Sequence, residues 1–224
     1  MRRQGRRDLH RVPQLQNNQF PSVKKPGSLL IDVRATPLFI RGFIPGSYYL
    51  GQQLSARLLR QNVRPEQTTV YLVGQCENPQ KLIRDLAKHG FEVAGWFQPD
   101  MLREWQDGGG LLGTIEELEP ETLAVRIAAW KTIVVDLRDR EAFRRAHIPE
   151  ALNLSLNDFQ ASVAGLPHPS ALTVVCETGE QSSFAASLLW NLNYRNVAIL
   201  RGGFQRYLEA GLRIASQLRP PADR

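Results

Sequence analysis

Short apolar runs closed by charged or turn-forming residues alternate along this chain with stretches whose apolar positions recur at helical spacing. Ile133–Leu137, Leu172–Val175 and Asn196–Leu200 read as strands covered on both faces. Between the last two, Ser182–Leu192 places Phe184, Ala185, Leu188, Leu189 and Leu192 on one helical face. Glu119–Ala129 opens with proline and acids, as a helix N-terminus prefers, and Phe204–Ala210 reads as a closing helix. In the first half, Val70–Val73 is the matching strand and Lys81–Lys88 the helix after it. Strands alternating with helices predict an α/β fold, a mostly parallel sheet flanked by crossover helices.

The pattern occurs twice. Leu29–Leu50 (LLIDVRATPLFIRGFIPGSYYL) and Ile133–Leu154 (IVVDLRDREAFRRAHIPEALNL) align at a constant offset of 104 residues. Asp32 meets Asp136, Arg34 meets Arg138, Phe39 meets Phe143, and Ile44-Pro45 meets Ile148-Pro149. Matches at a single offset identify an internal duplication. Gly108-Gly109-Gly110 reads as the flexible junction, with a fresh start near Thr114.

Candidate chemistry lies in Thr173–Ser183 (TVVCETGEQSS), where Cys176 ends an apolar strand, a short loop with Gly179 follows, and a helix opens near Ser182. Successive N–H groups of such a loop can curl toward the sulfur, with the positive end of the helix behind them. This favours a thiolate nucleophile. The hydroxyl of Ser182 is expected to cap the helix. The ordered set Asp136-Leu137-Arg138, Phe143, Ala146-His147-Ile148-Pro149-Glu150-Ala151, Cys176–Ser182 and Arg201-Gly202-Gly203-Phe204 resembles the rhodanese (sulfurtransferase) family. The resemblance runs from about residue 28 to residue 212, in two copies.

It implies two rhodanese-like domains, with Cys176 accepting a sulfane sulfur as a persulfide and passing it to a thiol, cyanide or a protein. The amides of Glu177, Thr178, Gly179, Glu180, Gln181 and Ser182 would cradle that persulfide. The partners implied are a small-molecule sulfur donor and a thiol or protein acceptor, with no metal and no organic cofactor. The expected division is a basic, disordered arm (1–27), a catalytically silent domain (28–108), a Gly-rich linker (109–113), a domain with the active cysteine (114–215) and a tail (216–224).

Silence of the first copy follows from counting. Cys176 lies 18 residues before Tyr194, and the same step back from Phe91 lands on Val73, whose side chain is no nucleophile. Pro79 also removes an N–H from the loop, and Cys76 reads as a bystander, with a resolving cysteine as the alternative. The active loop departs from the family where Gln181 stands at a position that many relatives fill with Arg. Glu177 and Glu180 add negative charge, which opposes a dianion such as thiosulfate. Ala146 and Glu150 replace two glycines usual beside Ile-Pro, a change expected to alter a turn.

Asp136, Arg138 and His147 are read as structural, and Trp96, Trp105, Trp130 and Trp190 as core or edge packing. Two cysteines in 224 residues are not a disulfide framework and point to a cytoplasmic setting. No run is long and apolar enough to span a membrane. The net charge of +6 resides in residues 1–28, where seven basic residues face one acid. That arm could contact nucleic acid, although a solubilising extension is the expectation. Two other functions compete with sulfur transfer: a non-catalytic interaction module, and a cysteine phosphatase or arsenate reductase. The phosphatase needs an arginine where this chain has Ser182.

Overall fold

The structure is a computed structural model that describes residues 12–16, 20, 27–51, 53–63, 66, 68–166 and 170–217. In the first half β1 (Ser28–Asp32), β2 (Ser47–Tyr49), β3 (Thr69–Val73) and β4 (Glu92–Phe97) form a parallel sheet in the order β2-β1-β3-β4. Helices α1 (Thr36–Arg41), α2 (Ala56–Asn62), α3 (Pro79–Lys88) and α4 (Met101–Asp107) follow these strands. In the second half β5 (Glu116–Leu118), β6 (Ile133–Asp136), β7 (Leu152–Asn153), β8 (Leu172–Val175) and β9 (Val197–Leu200) form a second parallel sheet, β5-β9-β8-β6-β7. Its helices are α5 (Pro120–Ala128), α6 (Arg140–Arg145), α7 (Phe159–Val163), α8 (Glu180–Asn191) and α9 (Gly203–Glu209). Covered on both sides, β8 and β9 are buried at every residue, which is why they read as unbroken apolar runs.

The Asp-x-Arg motifs fix the same corner in each sheet. Asp32 accepts from Nε and Nη2 of Arg34 and from its backbone N–H, while Nη2 also donates to the Gly42 carbonyl. Asp136, Arg138 and the Ala146 carbonyl repeat this set of bonds. The structural reading of Asp136 and Arg138 therefore matches their bonding. So does that of His147, whose ring stacks on Phe143 and bonds through Nδ1 to the Phe143 carbonyl.

Part of the expected disordered arm is ordered. The Leu15 N–H donates to the Trp96 carbonyl at 2.8 Å and the Trp96 N–H to the Pro13 carbonyl at 3.0 Å, so residues 13–15 lie parallel to β4. They occupy the edge position that β5 holds beside β9. Leu15 and Phe20 are the anchors, packing with Phe97, Met101 and Trp105. The first unit thus begins before residue 28; arm residues 1–11, 17–19 and 21–26 lie outside the described ones. The glycine junction is also tied down. Gly109 and Gly110 donate to the carbonyls of Gln106 and Trp105, and Phe43 and Gly113 exchange two backbone bonds. The tail stays docked at its start, where the Gln217 N–H donates to the Arg144 carbonyl.

Helix α8 was expected to bury one face, yet Ser182 through Leu189 are all buried. Its second face packs on the first half. Ser187 Oγ accepts the Tyr49 N–H at 3.0 Å, and Asn191 Nδ2 donates to the Ser47 carbonyl at 3.1 Å. These side chains bond the outer edge of β2, where no further strand pairs among the described residues. One apolar cluster runs through both halves, from Leu29 and Phe43 to Phe184 and Ile199. Trp130 departs from the packing expectation: it is 84% exposed and sits two residues past α5 at φ +54°.

Glu150 sits at φ +62°, where its counterpart Gly46 sits at φ +94° with nothing near its absent Cβ. A left-handed conformation at a residue with a Cβ costs roughly 1–2 kcal/mol, less the entropy a glycine loses on folding. Glu150→Gly is expected to raise stability by about 1 kcal/mol and the melting midpoint by about 2–4 °C in thermal denaturation.

Candidate active site

The cysteine loop forms because β8 runs out in the middle of the sheet and α8 starts after a four-residue loop. Gly179 makes the reversal at φ +100° and is the N-cap of α8, with no side-chain bond to the helix amides. Its own N–H instead donates to Cys176 Sγ at 3.1 Å. The expected cap, Ser182, lies inside the helix, and its hydroxyl is fully buried with no hydrogen-bond partner. The sequence placed the helix start two residues late, because Glu180 and Gln181 are polar and read as loop.

A second layer comes from the Gly-Gly-Phe turn. The Phe204 N–H donates to the Cys176 carbonyl at 2.8 Å, and the Gln205 N–H to the Glu177 carbonyl at 3.2 Å. These carbonyls come so close that a Cβ on Gly203 would lie 2.4 Å from one and 2.5 Å from the other. Gly203 also has φ +64°, so the close approach and the conformation both require glycine. The Phe204 ring lies under the Arg138 guanidinium, 3.5 Å from its centroid. The motifs separated in sequence, Asp-x-Arg, the cysteine loop and Gly-Gly-Phe, thus meet around one backbone turn.

Cys176 is 2% exposed. Thr178 and Gln181 face solvent, and Glu177 is 60% exposed with its carboxylate 3.7 Å from Arg138 Nη1. Glu177 and Gln181 line a cleft of about 410 Å³ together with Leu58 of α2, Arg138, Asp139 and Asn157. Leu58 shows that the first half supplies part of the wall. Asp139 caps α6 by accepting the Ala142 N–H, a bond that holds its carboxyl below the usual carboxylate range. Glu180 turns the other way, into a larger cleft of the first half that also contains Tyr49 and Cys76. Among the described residues no group of three or more His, Cys, Asp or Glu side chains could hold a metal ion.

The register corrects the equivalence drawn between the copies. Asp32 pairs with Val73, and Asp136 pairs with Val175, so the residue facing Cys176 across the repeat is Gly74, not Val73. Counting back from Phe91 failed because the segment from strand end to that aromatic is one residue shorter in the first half. Gly74 sits at φ +107°, and a Cβ there would lie 2.3 Å from Arg34 Cγ, so no cysteine fits without displacing that arginine. Asn78 Oδ1 accepts the Lys81 N–H and closes the N-terminus of α3, where Pro79 lacks a donor. The N-terminus of α3 is thus closed by the side chain of Asn78, whereas α8 begins at Gly179, which has no side chain to close it.

Burial pushes the Cys76 thiol above its ordinary value of 9.0, with the Glu77 charge adding to the rise and a bond from the Asn78 N–H opposing it. A raised value keeps the group protonated to higher pH, so little thiolate forms near neutrality. In a Cys176→Ser background, where Cys76 is the remaining cysteine, iodoacetamide at pH 8 is expected to modify it more slowly than free cysteine. The rate should climb only above pH 9; modification at the free-cysteine rate would contradict the burial argument.

A rhodanese-like domain model matches residues 119–210. The chain is 41% identical over 76 residues to a thiosulfate sulfurtransferase GlpE of Stutzerimonas stutzeri, covering 33% of this chain and 67% of that protein. It is 27% identical over 103 residues to a sulfurtransferase of Allochromatium vinosum, 46% of this chain and 96% of that one. Among solved structures, a thiosulfate sulfurtransferase from Pseudomonas aeruginosa aligns at 19% identity and TM-score 0.39, over 90% of this chain and 42% of its own. With its motifs gathered at one loop and a sulfurtransferase relative matched over two thirds of that relative's length, this chain belongs to the rhodanese-like domain family.

Proposed function

We propose that the protein is a sulfurtransferase that moves sulfane sulfur through a persulfide on Cys176. The bond from the Gly179 N–H to Cys176 Sγ, at a helix end with no side-chain cap, is the observation that carries this reading. A thiolate at Cys176 attacks the outer sulfur of a donor R–S–SH, leaving R–SH and a Cys176 persulfide. An acceptor thiolate then attacks the outer sulfur of that persulfide, taking it away and returning the Cys176 thiolate. The Gly179 N–H, with the positive end of α8 behind it, favours the negative charge through both steps. The hydroxyl of Ser182, the third residue of the same helix, is buried without a hydrogen-bond partner.

In this reading the first half is a second rhodanese-like domain without sulfur chemistry of its own, and Gly74 and Asn78 account for its silence. Its role is to form one wall of the cleft through Leu58 and to hold α8 through β2. Thiosulfate is a poor donor here, because Arg138 is already bonded to Asp136 and no arginine stands at Gln181. The test is a donor screen with intact-protein mass spectrometry, comparing thiosulfate, 3-mercaptopyruvate and low-molecular-weight persulfides. One sulfur atom should be gained on Cys176, with thiosulfate the slowest donor. Failure of every donor class to load the folded protein rejects sulfur transfer and leaves the non-catalytic interaction module.

A further inference from the structure

We propose that the small thiols exchanging sulfur with Cys176 carry an ammonium group near their sulfur, as aminothiols do, and that anionic thiols are disfavoured. This rests on the persulfide reading and names its substrate class. The argument begins with the charges lining the 410 Å³ cleft that opens on Glu177 and Gln181. Arg138 is its cation among the described lining residues, and that side chain is only 6% exposed. Nε and Nη2 are bonded to Asp136, Nη2 also to the Ala146 carbonyl, and the guanidinium face lies on Phe204. The remaining nitrogen, Nη1, points to Glu177.

Asp136 cancels the charge of Arg138, which leaves Asp139 and Glu177 as net negative charge on the wall. Arg145, which also acts on Asp139, is shared with Glu141 at 3.6 Å. Glu180 adds a third carboxylate on the far side of the loop. An ammonium approaching the cysteine loop meets the carboxylates of Asp139 and Glu177, whereas a carboxylate or sulfonate is repelled by them. The cleft has the volume for a small molecule of this kind.

Methanethiosulfonate reagents test the charge preference without any sulfur donor, because the Cys176 thiolate attacks the reagent sulfur, forms a mixed disulfide and releases methanesulfinate. In a Cys76→Ser background, the rates of the aminoethyl, methyl and sulfonatoethyl reagents at Cys176 are each divided by the rate with 2-mercaptoethanol. The normalised cation-to-anion ratio is expected to be roughly tenfold or more at low salt. It should fall several-fold in Glu177→Gln and at about 0.5 M salt, where charges are screened within a few ångströms. A ratio at or below one, or no reaction with any reagent, overturns the proposal. Loading by a persulfide donor is followed in the same protein. Loading without charge preference removes only the aminothiol assignment, whereas charge preference without loading removes the transfer reaction itself and the assignment with it.

Discussion

Cys176→Ser is expected to reduce sulfur transfer to the uncatalysed background, a fall on the order of a thousandfold or more, while leaving the melting midpoint almost unchanged. The two outcomes follow from different parts of the site. A serine hydroxyl fits the space of the thiol and can still accept the Gly179 N–H, so the turn survives. Near neutral pH it is neither ionised nor able to hold a sulfane sulfur, so the chemistry does not. Mass spectrometry after donor treatment should show no added sulfur on the variant, and stopped transfer should accompany it. Cys76→Ser should leave both loading and transfer intact, because Cys76 lies in the other cleft with a thiol that burial keeps protonated. If Cys76→Ser stopped transfer as well, a relay between the two thiols would replace the single-cysteine scheme.

Arg138→Met should be the most destabilising of the variants considered, at about 3–5 kcal/mol, because it strands the carboxylate of Asp136, which is fully buried. The melting midpoint should drop by on the order of 10 °C. Loading of Cys176 should fail even where the protein remains folded, since the guanidinium supports both the Phe204 ring and the Ala146 carbonyl. Arg34→Met provides the comparison. Asp32 is equally sheltered and carries the same bonds, so the loss of stability should be similar. Loading of Cys176, measured well below the melting midpoint, should persist, because Arg34 packs on Gly74 in the first half, away from Cys176. Equal loss of loading in both variants would show that the arginines act only through global stability.

Much of this was legible in the sequence, for physical reasons that differ by element. The Asp-x-Arg and Ile-Pro segments were readable twice over because each fixes a corner through its own side-chain bonds, and the offset of 104 residues preserved them. Strands β8 and β9 were readable because burial on both faces leaves only apolar residues to use. The cysteine loop was readable from Cys176 and Gly179, although the start of α8 was misplaced. The equivalence of Gly74 and Cys176 was hidden, since register belongs to strand pairing and the intervening lengths differ by one residue. The second buried face of α8 was hidden too. Ser183, Ala186 and Ser187 are small residues that permit close approach, and small polar residues give no hydrophobic signal. Arginines near the N-terminus masked Leu15 and Phe20, two apolar anchors spaced too far apart to form a pattern.

The bonds from α8 to β2 bear on whether the second half could stand alone. Ser187 and Asn191 finish the edge of the neighbouring sheet, so the half that carries Cys176 leans on the first half. Deletion of the first half would expose the small-residue face of the helix that follows Cys176 and leave that helix without its second support.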